Sequence, residues 1–541
     1  MSHIALSPDG TRLAYVSPCE TGEYAIFVQK VGSLQAVKLA GTEGATFPFF
    51  SPDNQYLAFF AAGRLKKIPV TGGNPVVLAS VLSSRGGSWG RKNVIVYAPD
   101  AGGPLWRVDA DGSNARPLTD KIFRQEDASH RWPLFLPDGE HFLFWQGNFN
   151  ESMNSPETGI YESDLEGKQK KRIVTCKSNA GYAGHELFYI DDKSALVAVD
   201  YKPPYGETTG KPRVIAEEVG LNPSTYWGAF SVAENGTLLY HTGTGAPLSQ
   251  LTWIDRSGKL LGTIGEPGII ANPFISPDQT RVAFDLANRR ERNIDVWTYN
   301  LQNGTSARFT FDPSEETTGI WSRDGKTIAF RGIGGPEILR LKNSSGLEND
   351  VGLAKNTTGS FDLLPNSWSV DDKYIMSTIQ FANGGSSLVL VSAADGKMTT
   401  FLEGGAKLNG QISPDGKWVA YESNETSDWE VFITTYPTAG GKLQVSQNGG
   451  KQPRWRADGA EIYYLDPHGM LIAVPVTTQP SLSTGTATTL FTTYSRPYIS
   501  STDLFTYDVS RDGKRFLVDR YYRPPSIPTL NIMLNASAET R

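Results

Sequence analysis

Residues 6–17 read LSPDGTRLAYVS, and the chain keeps returning to that phrase. It recurs as FSPDNQYLAFFA from Phe50, FLPDGEHFLFWQ from Phe135, ISPDQTRVAFDL from Ile275 and WSRDGKTIAFRG from Trp321. It continues as WSVDDKYIMSTI from Trp368, ISPDGKWVAYES from Ile412, WRADGAEIYYLD from Trp455 and VSRDGKRFLVDR from Val509. Three longer gaps hold degenerate copies: WGRKNVIVYAP from Trp89, AGHELFYID from Ala183 and FSVAENGTLLYHT from Phe230. Aligned on the residue after the leading apolar position, the units start near residues 7, 51, 90, 136, 183, 232, 276, 322, 369, 413, 456 and 510.

Each phrase is a hairpin. An apolar strand enters, Ser-Pro-Asp-Gly reverses the chain, and a strand such as Arg12-Leu13-Ala14-Tyr15-Val16 leaves. Proline pre-sets φ, aspartate bonds its own backbone, and glycine accepts a positive φ. A third strand usually follows, as in Tyr24-Ala25-Ile26-Phe27-Val28 or Asp295-Val296-Trp297-Thr298-Tyr299, and then a fourth, as in Ala307-Arg308-Phe309-Thr310. Four short strands at a period of roughly 45 residues are the signature of a propeller blade. Such a sheet cannot bury both faces alone, so blades stack around a channel.

Twelve units exceed the four to eight of a usual ring. The expected fold is therefore all-β, with two tandem six-bladed propellers: residues 1–245 and 246–541. A seven-plus-five division would leave one ring unusually small. Closure is the open issue. The last unit supplies strands at 505–509, 515–519 and 529–534 and then ends, while residues 1–3 are too short to donate a fourth. The terminal blade is expected to have three strands or to borrow one from the segment crossing between rings, at 251–254 or 260–264.

The bulk numbers agree with this reading. The 541 residues include 55 Gly and 33 Pro, high for a helical protein, and 12 Trp, 22 Tyr and 25 Phe, which suit strands. A net charge of −6 without a long basic run gives no general attraction to nucleic acid or anionic lipid. Cys19 and Cys176 form no C-x-x-C and imply neither zinc nor redox chemistry, and no cofactor or metal is expected. No stretch approaches the apolar length of a membrane span, and the N-terminus has no signal-peptide pattern. A start almost on a strand suggests a piece of something larger.

One motif invites a different reading. Gly86-Gly87-Ser88-Trp89-Gly90 matches G-x-S-x-G literally. A nucleophile elbow needs a helix after the serine, whereas Val94-Ile95-Val96-Tyr97 has strand character. Ser88 is explained as the start of a blade.

The SPDG phrase and its period resemble the WD40-like (PD40) repeat of TolB-type propellers, over essentially the whole chain. GTEGATFPFFSPD (41–53), HRWPLFLPDGEHFLF (130–144) and GGKQPRWRADGAEIYYL (449–465) are similar to the propeller region that follows the kinase domain and membrane helix of bacterial eukaryotic-like serine/threonine kinases. The resemblance implies an extracytoplasmic or periplasmic sensory or binding portion, membrane-tethered in its natural setting. The G-x-G-x-x-G, V-A-I-K and H-R-D-L-x-x-x-N motifs are missing, so these residues do not phosphorylate. Repeats run to about residue 535 and leave no room for the α/β-hydrolase domain that follows such propellers in prolyl-oligopeptidase-like peptidases.

Candidate site residues lie where each inner strand begins, since these crowd a channel mouth. They are Thr46, Ser88, His130, Arg131, Asn179 and Tyr226 in the first ring, and Asn272, Glu316, Asn366, Asn409, Gln411, Lys451 and Arg454 in the second. His130 and Arg131, with Glu126 and Asp127 just before them, form the densest ionisable cluster. It suits an anion, a metal or a proton transfer, or else simply satisfies itself with water; a metal would need two or three more ligands, and no H-x-H or H-x-x-E-H spacing supplies them. Trp132, Tyr226 and Trp227 are placed to stack on a sugar or peptide, whereas Trp89, Trp321, Trp368 and Trp455 read as packing between blades, and the recurring asparagines as caps on loop backbone. The functional expectation is a non-enzymatic module that binds a peptide, protein or glycan. The alternative is a polysaccharide lyase or glycosidase using His130, Arg131 and Glu316, or an esterase using Ser88; propellers host both classes.

Overall fold

The computed structural model describes residues 2–19, 24–120, 129–147, 157–222, 225–242, 248–288, 293–333, 336–357, 360–381, 385–426, 428–479, 481–495, 502–522 and 530–536. Among them there is no helix; the chain is a β-propeller protein built of small antiparallel sheets. It divides into two compact units, Met1–Pro247 with Pro524–Arg541, and Leu248–Arg523.

Among the described residues of the first unit, six sheets of three or four strands follow one another, with first strands Ser2–Leu6, Thr46–Phe50, Gly87–Trp89, Ser129–Phe135, Gly181–Ala183 and Phe230–Val232, and Leu221–Asn222 pairs with Trp227–Gly228 in a two-stranded sheet. Ser2–Leu6 touches both Thr46–Phe50 and Phe230–Val232, which closes the cycle. In the second unit the first strands are Ile270–Ile275, Glu316–Trp321, Ser360–Trp368, Lys407–Ile412, Lys451–Trp455 and Tyr507–Val509, each touching the next and the last touching the first. The core lies between sheets. One apolar cluster joins Leu143 and Ile160 to Leu187 and Tyr189 of the following sheet, and another joins Ile320 and Ala329 to Leu363 and Ile375.

The repeated phrase has a direct physical basis. Ser7 Oγ donates to Asp9 Oδ1 at 2.5 Å and accepts from Arg12 N at 2.9 Å, while Gly10 N donates to Ser7 O at 2.8 Å. The same serine–aspartate pair holds the turns at Ser51, Ser276, Ser322, Ser369, Ser413 and Ser510. Trp89, Trp321, Trp368 and Trp455 are buried, and the indoles of Trp321 and Trp455 donate to the preceding sheet at Phe274 O and Gln411 O, both at 3.0 Å.

Ring closure departs from the expected boundaries in one respect. The last sheet of the second unit runs Leu260–Gly268, Ser249–Asp255, Arg515–Tyr521, Tyr507–Val509, so it takes two strands from the crossing segment. The C-terminal strand Leu530–Met533, expected to finish that sheet, instead pairs with Leu238–His241 in the sixth sheet of the first unit, with Leu239 opposite Ile532. Residues 524–541 therefore belong with the first unit and not with a domain running 246–541. The crossing segment fills the outer positions of the last sheet, and the C-terminal strand extends the sixth sheet of the first unit, which without it would have two strands among the described residues.

Candidate functional site

Most inner strands carry a bulge at the same place, four residues before the anchor of the repeat. The residue there has a positive φ: His3, Phe47, Gly86 and Trp132 in the first unit, and Asn272, Thr318, Asn409 and Gln452 in the second. Bulges re-aim a side chain, and here the two units differ in what they carry at that position.

At three of its four positions, all but Gly86, the first unit places aromatic rings. His3 and Phe47 have ring centroids 3.9 Å apart, Phe47 and Trp132 4.9 Å, and Trp132 and Trp227 5.0 Å, while Tyr226 stacks on Trp145 at 4.9 Å. Polar groups secure this layer from behind. Trp132 Nε1 donates to Thr225 O at 2.9 Å, and the buried Arg131 donates to Ala101 O through Nη2 at 2.7 Å and to Ser129 Oγ through Nε at 2.7 Å. His130 Nδ1 lies 2.8 Å from Thr119 Oγ. Burial, with Arg85 adding to it, lowers the His3 pKa to about 3, and burial raises that of Asp100 to about 6. Phe47, Trp132 and Trp227 of this layer line a funnel of about 200 Å³ whose wall also includes Ile4, Leu6, Phe49, Phe135 and Phe230. At its turn-side rim Arg91 of the third sheet and Glu234 of the sixth pair at 2.7 Å.

The second unit places three amides and the Thr318 hydroxyl there, and the amides grip the chain's own residues 502–506. Asn272 Oδ1 accepts from Leu504 N at 2.8 Å and Phe505 N at 2.9 Å. Its Nδ2 donates to Thr502 O and Asp285 Oδ2, both at 2.6 Å, and its backbone N donates to Phe505 O at 3.0 Å. Asn409 Nδ2 donates to Leu504 O at 3.2 Å, and Gln452 Oε1 accepts from Thr506 N at 2.8 Å. Leu504 packs on Leu364 from the third sheet of this unit, on the far side of the channel. The guanidinium of Arg454 lies 3.7 Å from the Phe505 ring centroid, and its Nε is 3.5 Å from Asp508.

The residues nominated from sequence fall as follows. Trp132, Tyr226 and Trp227 come together in the aromatic layer, with His130 and Arg131 behind it. Glu316 belongs to the other unit, accepts from Asp312 N at 3.0 Å, and has its pKa raised by burial to about 7. Lys451 sits 5.0 Å from the Trp429 ring, its pKa lowered by burial. Arg454 belongs to the wall around Phe505, and Glu126 and Asp127 lie outside the described residues. Asn179 Oδ1 accepts from Gly228 N at 2.7 Å, and Gln411 Nε2 donates to Asn366 O at 2.8 Å. Thr46 Oγ1 donates to Phe60 O at 3.4 Å within its own sheet. Ser88 Oγ accepts from Phe135 N at 3.0 Å, a bond between neighbouring sheets that recurs at Ser231 with Leu6 N and at Ser367 with Ile412 N. Sequence reasoning passed over His3, Phe47 and the 502–506 segment. A signal existed for part of this: Phe47, Trp132, Asn272 and Gln452 each precede a proline four residues ahead of the turn, and a residue before proline avoids the right-handed helical region.

No family model matches the chain. An uncharacterized peptidase of Bacillus subtilis, YuxL, is 25% identical over 29% of this chain and 30% of its own length, so the chain spans less than a third of the curated relative it matches. Among solved structures, a putative TolB from Agrobacterium tumefaciens is similar at 16% identity and TM-score 0.39, covering 52% of this chain and all of that one. An oligogalacturonate lyase in complex with manganese is similar at 12% and TM-score 0.31, covering 66% and 87%. The tricorn protease is similar at 12% and TM-score 0.30, covering 90% and 62%. These likenesses concern the fold alone, and the fold rests on the sheet pairings above.

Proposed function

We propose that the chain is a non-enzymatic recognition module, two six-bladed rings of which the first takes an apolar stretch of polypeptide into its funnel, against Trp132 and Trp227, with Tyr226 buried behind them on Trp145. The observation that carries this reading is the contrast between the two channels. The second is filled by residues 502–506, held through main-chain bonds from Asn272, Asn409 and Gln452. The first has a funnel of about 200 Å³ whose wall mixes aromatic and apolar side chains with polar ones such as Asn179, Arg91 and Glu234. The second channel is thus an internal precedent for a short polypeptide segment held by the inner strands of a ring of this chain. Apolar pockets with a few fixed polar groups are the usual form of a binding site.

The groups nominated for catalysis support the same reading. Arg131 spends its donors on Ala101 O and Ser129 Oγ, Ser88 accepts a bond between sheets, and Glu316 belongs to a different unit from His130. The location that fits is extracytoplasmic, within a longer membrane-tethered protein. Among the described residues no helix is long and apolar enough to cross a membrane.

The test is titration of Leu- and Phe-containing hexapeptides, and of their Ser-substituted counterparts, against intrinsic tryptophan fluorescence. The apolar peptides are expected to shift the emission of the wild type and not of W227A. Parallel incubation with uronate oligosaccharides and chromogenic esters is expected to give no turnover. Turnover lost in H130A or S88A would overturn the proposal in favour of an enzyme.

A further inference from the structure

The first unit has a second, larger concavity on its turn side, a cleft of about 1000 Å³ that runs from the second sheet past the third to the fourth. It shares only Trp89 with the funnel, so it is a separate site. Its wall carries an arrangement that strand physics disfavours. Arg107 and Arg116 are direct cross-strand partners on neighbouring strands of the third sheet. Like charges directly opposite one another destabilise a sheet. The carboxylate paired with Arg107 is Asp109, at 3.4 Å, and the buried Arg107 Nε has no hydrogen-bond partner among the described residues.

The other charges of the cleft do not resolve this. Asp111 is turned to its own loop, accepting from Ser113 N at 2.8 Å, and Asp53 accepts from Ser51 Oγ and Gln55 N within its own turn. Glu166 is taken by Lys168 at 2.9 Å. Lys67 is tethered by its donation to Ala110 O at 2.6 Å, which sets its ammonium 5.5 Å from the Tyr56 ring. An under-satisfied guanidinium, a second one opposite it and the tethered Lys67 give the roomy cleft a cationic wall suited to an added anion.

We infer that this cleft binds a ligand carrying two or more anionic oxygens, carboxylate or phosphate, with Arg107 and Arg116 as a two-armed clamp. A planar guanidinium matches either group in bidentate fashion. The site pays for itself in the unliganded sheet as repulsion, as functional positions often do.

Calorimetric titration of the whole chain at low ionic strength tests this with three probes: trigalacturonate, inorganic pyrophosphate and the neutral maltotriose. One or both anions are expected to bind, maltotriose not, and which anion binds more tightly identifies the source. R107Q/R116Q should weaken the anion at least about 30-fold, the scale of losing two charge-assisted contacts. Without ligand, R116Q alone should raise the melting temperature by relieving the repulsion. Binding of neither anion at millimolar concentration, or equal binding by a folded R107Q/R116Q, overturns the inference. If the double variant does not fold, the wild type decides. Binding must fall steeply as salt rises from about 50 to 300 mM, and salt-independent binding overturns it equally. W227A should leave anion binding intact, which separates failure here from failure of the peptide-binding reading.

Discussion

Replacing Asn272 by alanine removes the one side chain that holds residues 502–506 from both sides. Four side-chain bonds go: those from Leu504 N and Phe505 N, and those to Thr502 O and Asp285 Oδ2. They are not equivalent. Leu504 N keeps Thr502 O at 3.0 Å, and Asp285 keeps Thr318 N at 2.9 Å. Phe505 N, only 4% exposed as a residue, loses the partner it has among the described residues. An orphaned buried donor costs about 1–3 kcal/mol, and each lost net bond about 1 kcal/mol. Asn272 also sits at φ +50, where asparagine is tolerated and alanine costs about 1 kcal/mol more. The sum is about 4 kcal/mol, confined to the second unit. At roughly 2–4 °C per kcal/mol for a unit of this size, its melting transition should fall by about 10 °C. Hydrogen exchange read by mass spectrometry localises the effect: peptides spanning 502–506 should exchange about 10³-fold faster, and those of the first unit should not change. A fall below about 2 °C with protection of 502–506 intact would refute the clamp.

Three further outcomes follow from the same contacts. Ser88→Ala should cost about 1–2 kcal/mol by orphaning Phe135 N, seen as a lower denaturant midpoint, and should abolish no hydrolysis. Glu316 has a folded pKa of about 7, raised by burial above the unfolded 4.5, so the fold favours its protonated form. The stability associated with that form is fully present below pH 4.5 and is lost as pH rises to about 7; E316Q should therefore melt higher than wild type at pH 8, by up to about 3 kcal/mol, and equally at pH 4.5. His3 is the opposite case: burial lowers it from 6.5 to about 3, so the unfolded state takes up the proton first and stability is lost as pH falls below 6.5. H3F should flatten that acid limb in a series of thermal melts between pH 7 and pH 4.

The sequence by itself determined the blades. The serine and aspartate of LSPDGTRLAYVS bond to each other and to the turn they make, and a contact between residues two to five apart is written in the local order of the chain. The same locality let Ser88 be read as a blade start, because the strand after it has apolar, β-branched character at Val94-Ile95-Val96. What lies across a channel is not local. Leu504 meets Leu364 and Asn272, more than a hundred residues away in sequence, and no periodicity links them. The choice between an aromatic and an amide layer rests on single bulge positions, whose side chains converge only once the ring has closed. Strand ownership was likewise decided in three dimensions. Leu530–Met533 has the same strand character whichever sheet it joins; it pairs with Leu238–His241, while the crossing strands Ser249–Asp255 and Leu260–Gly268 complete the last sheet of the second unit.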